Sequence, residues 1–123
     1  MKKAKLLLLF VSITFLSLEM TAQSVEGYMY HGTDGSVSLY YKQSKYGVTF
    51  RALNKRNKAV YVKVNNVKSS WSNGQNRKKT VHIGFVRSGG ASNGGGLNLD
   101  NYAKIKGWSF SGWEWSEKPF KRY

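Results

Sequence analysis

The stretch VTFRALNKRNKAVYVKVNNV, Val48 to Val67, alternates apolar and polar residues on either side of a short basic segment, Asn54 to Lys58. A period of two marks a half-buried β-strand, because successive strand residues point to opposite faces. Val48, Phe50 and Ala52 fall on one face of the first run, with Thr49 and Arg51 on the other. In the second run Val60, Val62 and Val64 share a face opposed by Tyr61, Lys63 and Asn65. Two such runs around a polar connection predict a β-hairpin whose valine face needs a core from elsewhere in the chain.

Towards the N-terminus, Ser36 to Lys42 alternates Val37, Leu39 and Tyr41 against Ser38, Tyr40 and Lys42, and the aromatic run Gly27 to Tyr30 is able to pair with it. Between them His31 to Gly35 has turn composition, Asp34-Gly35 supplying the positive φ of a tight hairpin. Towards the C-terminus, Asn73-Gly74 is the strongest turn signal of the chain, with Trp71 just before it. Thr80 to Arg87 predicts a further strand, with Val81, Ile83 and Phe85 on one side and His82 and Gly84 on the other. Ser88 to Gly96, SGGASNGGG, has the composition of a linker and is expected to run over the surface. Leu97 to Lys106 holds an Asn-Leu-Asp-Asn cluster and then Tyr102 to Lys106, which reads as a short strand or a single helical turn. Gly107 to Trp115, GWSFSGWEW, predicts a closing aromatic strand bent or bulged at Gly112.

About seven short strands separated by turns, with no helical period and no internal repeat, point to an all-β fold. The expected architecture is a single antiparallel β-sandwich or small barrel over residues 25–123. A transmembrane barrel does not fit, since it needs at least about eight strands of ~9–11 residues with an apolar outer band. Here the outward positions carry Lys42, Arg51 and Lys63.

Residues 1–24 read as a secretory signal peptide. Lys2, Lys3 and Lys5 precede an apolar run, Leu6 to Leu18, and a polar patch with small residues follows, cut after Ala22 or Ser24. The run is shorter than the ~20 residues a membrane helix needs, so no membrane span is expected once the leader is removed. The expected location is therefore the periplasm or the extracellular space. There is no Cys, which excludes a disulfide framework, a thiolate metal site and a lipoprotein anchor. Packing alone must hold the fold, and the four Trp and eight Tyr supply apolar area for it. The formal charge is +14, and removing Lys2, Lys3, Lys5 and Glu19 lowers it by only two. Such one-sided charge steers anionic partners towards the surface.

The chemistry-bearing residues support no reaction. A phosphate-binding loop needs Gly-Lys-Ser/Thr after its glycines, and Ser88 to Gly96 holds no Lys. His31 and His82 are the only histidines and lack metal-ligand spacing, so no metal and no cofactor are expected. A Ser-His-Asp set could be drawn from His31 or His82, Asp34 or Asp100 and many serines, but no nucleophile elbow marks it. Glu114 and Glu117 are the only close acidic pair, which leaves little for glycoside hydrolysis. The ligand-binding candidates are instead cationic and aromatic. Lys55, Arg56 and Lys58 lie in the central segment, and Arg77, Lys78 and Lys79 lie in the next connection, further basic residues being Lys104, Lys106, Lys118, Lys121 and Arg122. If the first two groups met at one end of a sandwich, they would form a cationic rim for phosphate or sulfate. Trp113 and Trp115 would lie side by side on an unbroken strand, opposite Trp108 and Phe110, leaving one pair free to stack on sugar rings. The favoured reading buries both pairs, because a domain without disulfides needs these rings in its core.

Val48 to Val67, followed by Trp71-Ser-Asn-Gly, Lys79 to Arg87, a Gly/Ser loop and GWSFSGWEW, resembles small uncharacterised exported β-sandwich proteins of Gram-negative bacteria. That resemblance implies fold and compartment, and carries no active site with it. The expected function is a non-enzymatic, strongly basic binding module for an anionic envelope or extracellular polymer such as polysaccharide or lipopolysaccharide. The alternative is a protein-binding inhibitor, immunity or assembly protein that uses a strand edge or the Gly-rich loop. Nucleic acid stays among the candidate partners, although no recognition signature is present.

Overall fold

The computed structural model describes residues 25–98 and 102–121. The expected leader with its cut positions, Asp100 and Arg122 lie outside them. Eight strands follow one another: β1 (Met29–Asp34), β2 (Val37–Ser44), β3 (Gly47–Asn54), β4 (Val60–Trp71), β5 (Asn76–Val86), β6 (Ala91–Asn98), β7 (Ile105–Ser109) and β8 (Gly112–Ser116). They form two antiparallel sheets that pack in the manner of a β-sandwich and do not close into a barrel. Sheet A has the order β1-β2-β3-β6. Sheet B is built on β4, which pairs with β5 along one edge and with β7 and β8 in tandem along the other. Among the described residues no helix is long and apolar enough to cross a membrane. The core joins Val37, Leu39, Val48 and Phe50 of sheet A to Val60, Val62, Val64, Trp71 and Val81 of sheet B. Each such fully buried aliphatic or Phe side chain contributes about 1.5–3 kcal/mol.

The expected hairpin of Val48 to Val67 is not one. β3 lies in sheet A and β4 in sheet B, so the basic segment is an arch between the sheets. Both runs turn their apolar faces to the same core, as alternation requires, but they meet across it instead of edge to edge. Asn54 fixes the arch. Wholly buried, it donates from Nδ2 to the carbonyls of Lys58 (2.9 Å), Val86 (3.1 Å) and Arg87 (3.3 Å). Its Oδ1 accepts the Arg56 N–H at 2.9 Å, and its own N–H reaches the Gly90 carbonyl at 2.8 Å. One side chain thereby ties two crossings, residues 55–59 and 87–90, at the same end of the molecule.

The Gly/Ser stretch expected to be a surface linker is largely strand β6, paired with β3 from Gly47 opposite Asn98 to Leu53 opposite Ala91. Gly96 is there because two backbones approach closely. A Cβ at Gly96 would come within 2.7 Å of the Val48 carbonyl oxygen, and one at Gly47 would run into the Leu97 carbonyl. Composition suggested flexibility where the requirement was small size.

Phase changes along the strands set which side chains point inward. In β4, Val60, Val62 and Val64 are buried, but after Asn66 (φ 51°) the buried positions become Val67, Ser69 and Trp71. The opposing strand breaks at the same height, at Phe110 and Ser111, yet the pairing register is unchanged: Asn65 faces Gly112 and Lys68 faces Ser109. Ser111 stitches the break through its N–H to the Asn65 carbonyl (3.1 Å) and its hydroxyl to Asn66 Nδ2 (3.2 Å). Both strands change phase together at this height, so Trp108, Phe110, Trp113 and Trp115 all pack, partly buried, against the core, and the exposed pair of an unbroken strand does not form. In β5 a bulge at Ile83-Gly84, with Gly84 at φ 86°, likewise turns Phe85 outward (57% exposed) and Val86 inward. At the first hairpin β1 runs through the expected turn to Asp34, and Gly35 (φ 54°) and Ser36 (φ 70°) make a two-residue primed turn.

Candidate anion-binding groove

The hairpin between β4 and β5 is set by its turn. Gly74 adopts φ 84°, its N–H bonds the Trp71 carbonyl at 3.0 Å, and Asn73 Oδ1 accepts the Gln75 N–H at 3.1 Å. From that point the register is fixed, with Ser70 opposite Asn76, Ser69 opposite Arg77, and Lys68 opposite Lys78. On the other edge of β4, Lys68 faces Ser109 and Ser70 faces Gly107. Lys68 and Ser70 alternate with the buried Val67, Ser69 and Trp71, so they look outward.

The result is an open groove of about 550 Å³ across three strands. It is lined by Ser70, Gly107, Trp108 and Ser109, with more apolar than polar surface, and the cations on its outer face are Lys68 and Lys78. It continues past Lys68, Lys78 and Ser109 towards Asn66 and Ser111. Arg77, beside the groove on the other face of β5, is held by Gln75 Oε1, at 3.2 Å from Nε and 2.8 Å from Nη2. Lysines directly opposite one another on adjacent strands repel. Among the described residues the ion pairs are Arg56–Glu117 (3.0 Å) and Lys63–Glu114 (3.4 Å), so no carboxylate neutralises the groove. A bound anion would do so, with the Ser70 and Ser109 hydroxyls as further donors.

The expected site residues separate. Lys78 enters the groove beside Lys68; Arg77 lines it but faces Ser69, and its side chain lies with that of Lys79 on the other side of β5 from Lys78. Lys55, Arg56 and Lys58 lie in the arch, and Lys68 is about eight residues of β4 away, on the order of 25 Å. The two basic groups therefore do not form one rim. Lys55 and Lys58 are exposed, but Arg56 is committed to the fold. Its guanidinium lies 4.4 Å from the Trp115 ring centroid and bonds Glu117, while its carbonyl accepts the Ser88 hydroxyl at 2.6 Å.

Trp115 is half-buried under that arginine. Its Nε1 donates to the Asp34 carbonyl (3.0 Å) and carboxylate (3.1 Å), and its ring is so close to Gly35 that a Cβ there would come within 2.8 Å. Trp113 is half-buried against the core, so the sugar-stacking role considered for these two rings is not what holds them. Glu114 and Glu117 are each taken by a different cation, and Asn65 also donates to Glu114 at 3.2 Å. His31 packs edge-on against Phe110 at 4.8 Å.

Lys68 is the groove residue that a reading of basic runs passes over, because it stands alone between Val67 and Ser69. Its signal is positional: pairing outward from the Asn73-Gly74 turn places it opposite Lys78. No family model matches the chain, and neither a curated protein nor a solved structure matches it. The groove has to be interpreted on its own geometry.

Proposed function

We propose that this chain is an exported, non-enzymatic binding module for an anionic polymer, of the polysaccharide or lipopolysaccharide kind, and that it takes the polymer's charged groups in the groove on sheet B. The observation that carries this reading is the cross-strand pair Lys68 and Lys78, left without a carboxylate among the described residues. A repulsive pair costs stability unless something outside the chain neutralises it. The net charge of +14 adds long-range attraction to the same class of ligand. The basic and apolar leader over residues 1–24 supports export. The Gly-rich stretch that the protein-binding alternative would use is largely occupied as β6 beside β3.

The test is titration of the protein with inorganic polyphosphate over a range of salt. Affinity is expected to fall steeply as salt rises, because each neutralised charge releases a counterion. The double variant Lys68→Glu/Lys78→Glu should bind about tenfold more weakly or worse, while Lys55→Glu/Lys58→Glu, at the far end, should lose much less. Equal losses in the two variants would show that net charge, not the groove, does the binding. Recovery of a stoichiometric protein partner that survives high salt would favour the protein-binding alternative.

A further inference from the structure

The outer face of sheet A carries a surface that neither the groove nor the core explains. Tyr30 on β1 lies opposite Tyr40 on β2, which lies opposite Arg51 on β3, so the three make one row across the sheet. Tyr40 and Arg51 alternate with the buried Leu39, Phe50 and Ala52, which places the row on the side away from the core. Tyr30 is 58% exposed, meets Tyr40 edge-on at 5.5 Å, and shares a 2.7 Å hydrogen bond between its hydroxyl and that of Thr33. The ring is held in place without being buried. Beside the row, Arg51 and Lys42 stand 5.6 and 6.0 Å from the centroid of the Tyr28 ring. Among the described residues neither cation has a carboxylate within ion-pair reach, and Arg51 Nε is shut off from solvent with no hydrogen-bond acceptor.

A fixed, exposed ring beside unspent cations fits a ligand that presents both an apolar face and separated negative charges. We propose that this face of sheet A binds an acidic glycan, a uronate-bearing oligosaccharide. The Tyr30 ring stacks on the C–H face of one pyranose, Arg51 and Lys42 take carboxylates of neighbouring residues, and the exposed hydroxyls of Thr33 and Thr49 meet sugar hydroxyls. Nucleic acid is the poorer fit. Single strands bind on successive rings that each accept a base, and the 62° angle between Tyr30 and Tyr40 leaves no parallel pair for two bases. The inference rests on the anionic-polymer reading for its ligand class but uses the opposite face of the molecule, so the two can fail separately.

Three probes distinguish them by calorimetric titration of the full chain: an oligouronate, its carboxyl-reduced neutral counterpart, and inorganic polyphosphate, which has no ring to stack. Tyr30→Ala is expected to weaken oligouronate binding about tenfold and to leave polyphosphate binding within about twofold. Arg51→Gln should narrow the gap between oligouronate and its neutral counterpart. Tyr30→Phe keeps the ring and should retain most of the affinity. The proposal is overturned if Tyr30→Ala binds oligouronate as well as the unaltered chain, or if oligothymidylate displaces the sugar and depends more strongly on Tyr30. If polyphosphate fails to bind at all while oligouronate binds through Tyr30, the groove reading falls and this one stands.

Discussion

Asn54 shows how one residue decides connectivity. Its amide reaches three carbonyls from two different crossings while its oxygen takes an N–H from a third position, all in a site with no solvent. Asn54→Leu keeps the branching and the number of side-chain heavy atoms but leaves those groups unpaired, and each buried group without a partner costs about 1–3 kcal/mol. The variant should be destabilised by about 3 kcal/mol or more, read as a shift in the urea midpoint at unchanged slope. A loss under about 1 kcal/mol would mean that the arch holds itself without the side chain. Nothing in the local sequence marks this asparagine, since Asn before a basic segment is also ordinary turn composition. Asn66 is a similar case at smaller scale: its left-handed φ of 51° turns the second half of β4 over.

At the level of elements, β6 is where composition and structure part. SGGASNGGG lacks every feature of a strand except the one that matters beside Gly47 and Val48, the absence of side chains where two backbones nearly touch. Gly47→Val should push β6 off β3, and amide hydrogen exchange should quicken across Ala91 to Asn98 while β4 and β5 stay protected. Gly32→Ala, where an added methyl meets nothing, is the control and should leave exchange unchanged. Protection of β6 that persists in Gly47→Val would show that the pairing tolerates a wider gap than this packing implies. Other elements were legible for plain reasons. The valines of β4, the alternation of β2 and β3 and the Asn73-Gly74 turn follow directly from side-chain period and turn chemistry. The phases of β5 and of the aromatic strand did not, because a bulge at Ile83-Gly84 and a break at Phe110-Ser111, matched by Asn66 on β4, reset a pattern that the residues alone continue unbroken.

For the molecule as a whole, charge sets stability against binding. Lys68→Gln removes the charge of one member of the facing pair and keeps a polar side chain, about one bond shorter, so its thermal midpoint should rise at low ionic strength. The gain should vanish near 1 M salt, where the screening length is about 3 Å, and polyphosphate affinity should fall in the same variant. A midpoint that drops, or a gain that ignores salt, would show that the lysine pair is not under electrostatic strain. Only the β4–β5 register makes this pair, and only the separation of arch from hairpin keeps Lys55 and Lys58 out of it. The candidate groove was therefore half legible: Arg77 and Lys78 stood out as a basic run, while Lys68 and the Ser70, Gly107 and Ser109 floor come from strands joined only by folding. What the sequence by itself determined is the all-β character, the valine and aromatic core and the excess of positive charge, because these depend on side-chain period and composition, which are local. What only the tertiary structure decided is that Val48 to Val67 spans two sheets as an arch, and that cations far apart in the chain share one surface. Which strand pairs with which depends on contacts between distant residues, and alternation satisfies an arch and a hairpin equally well.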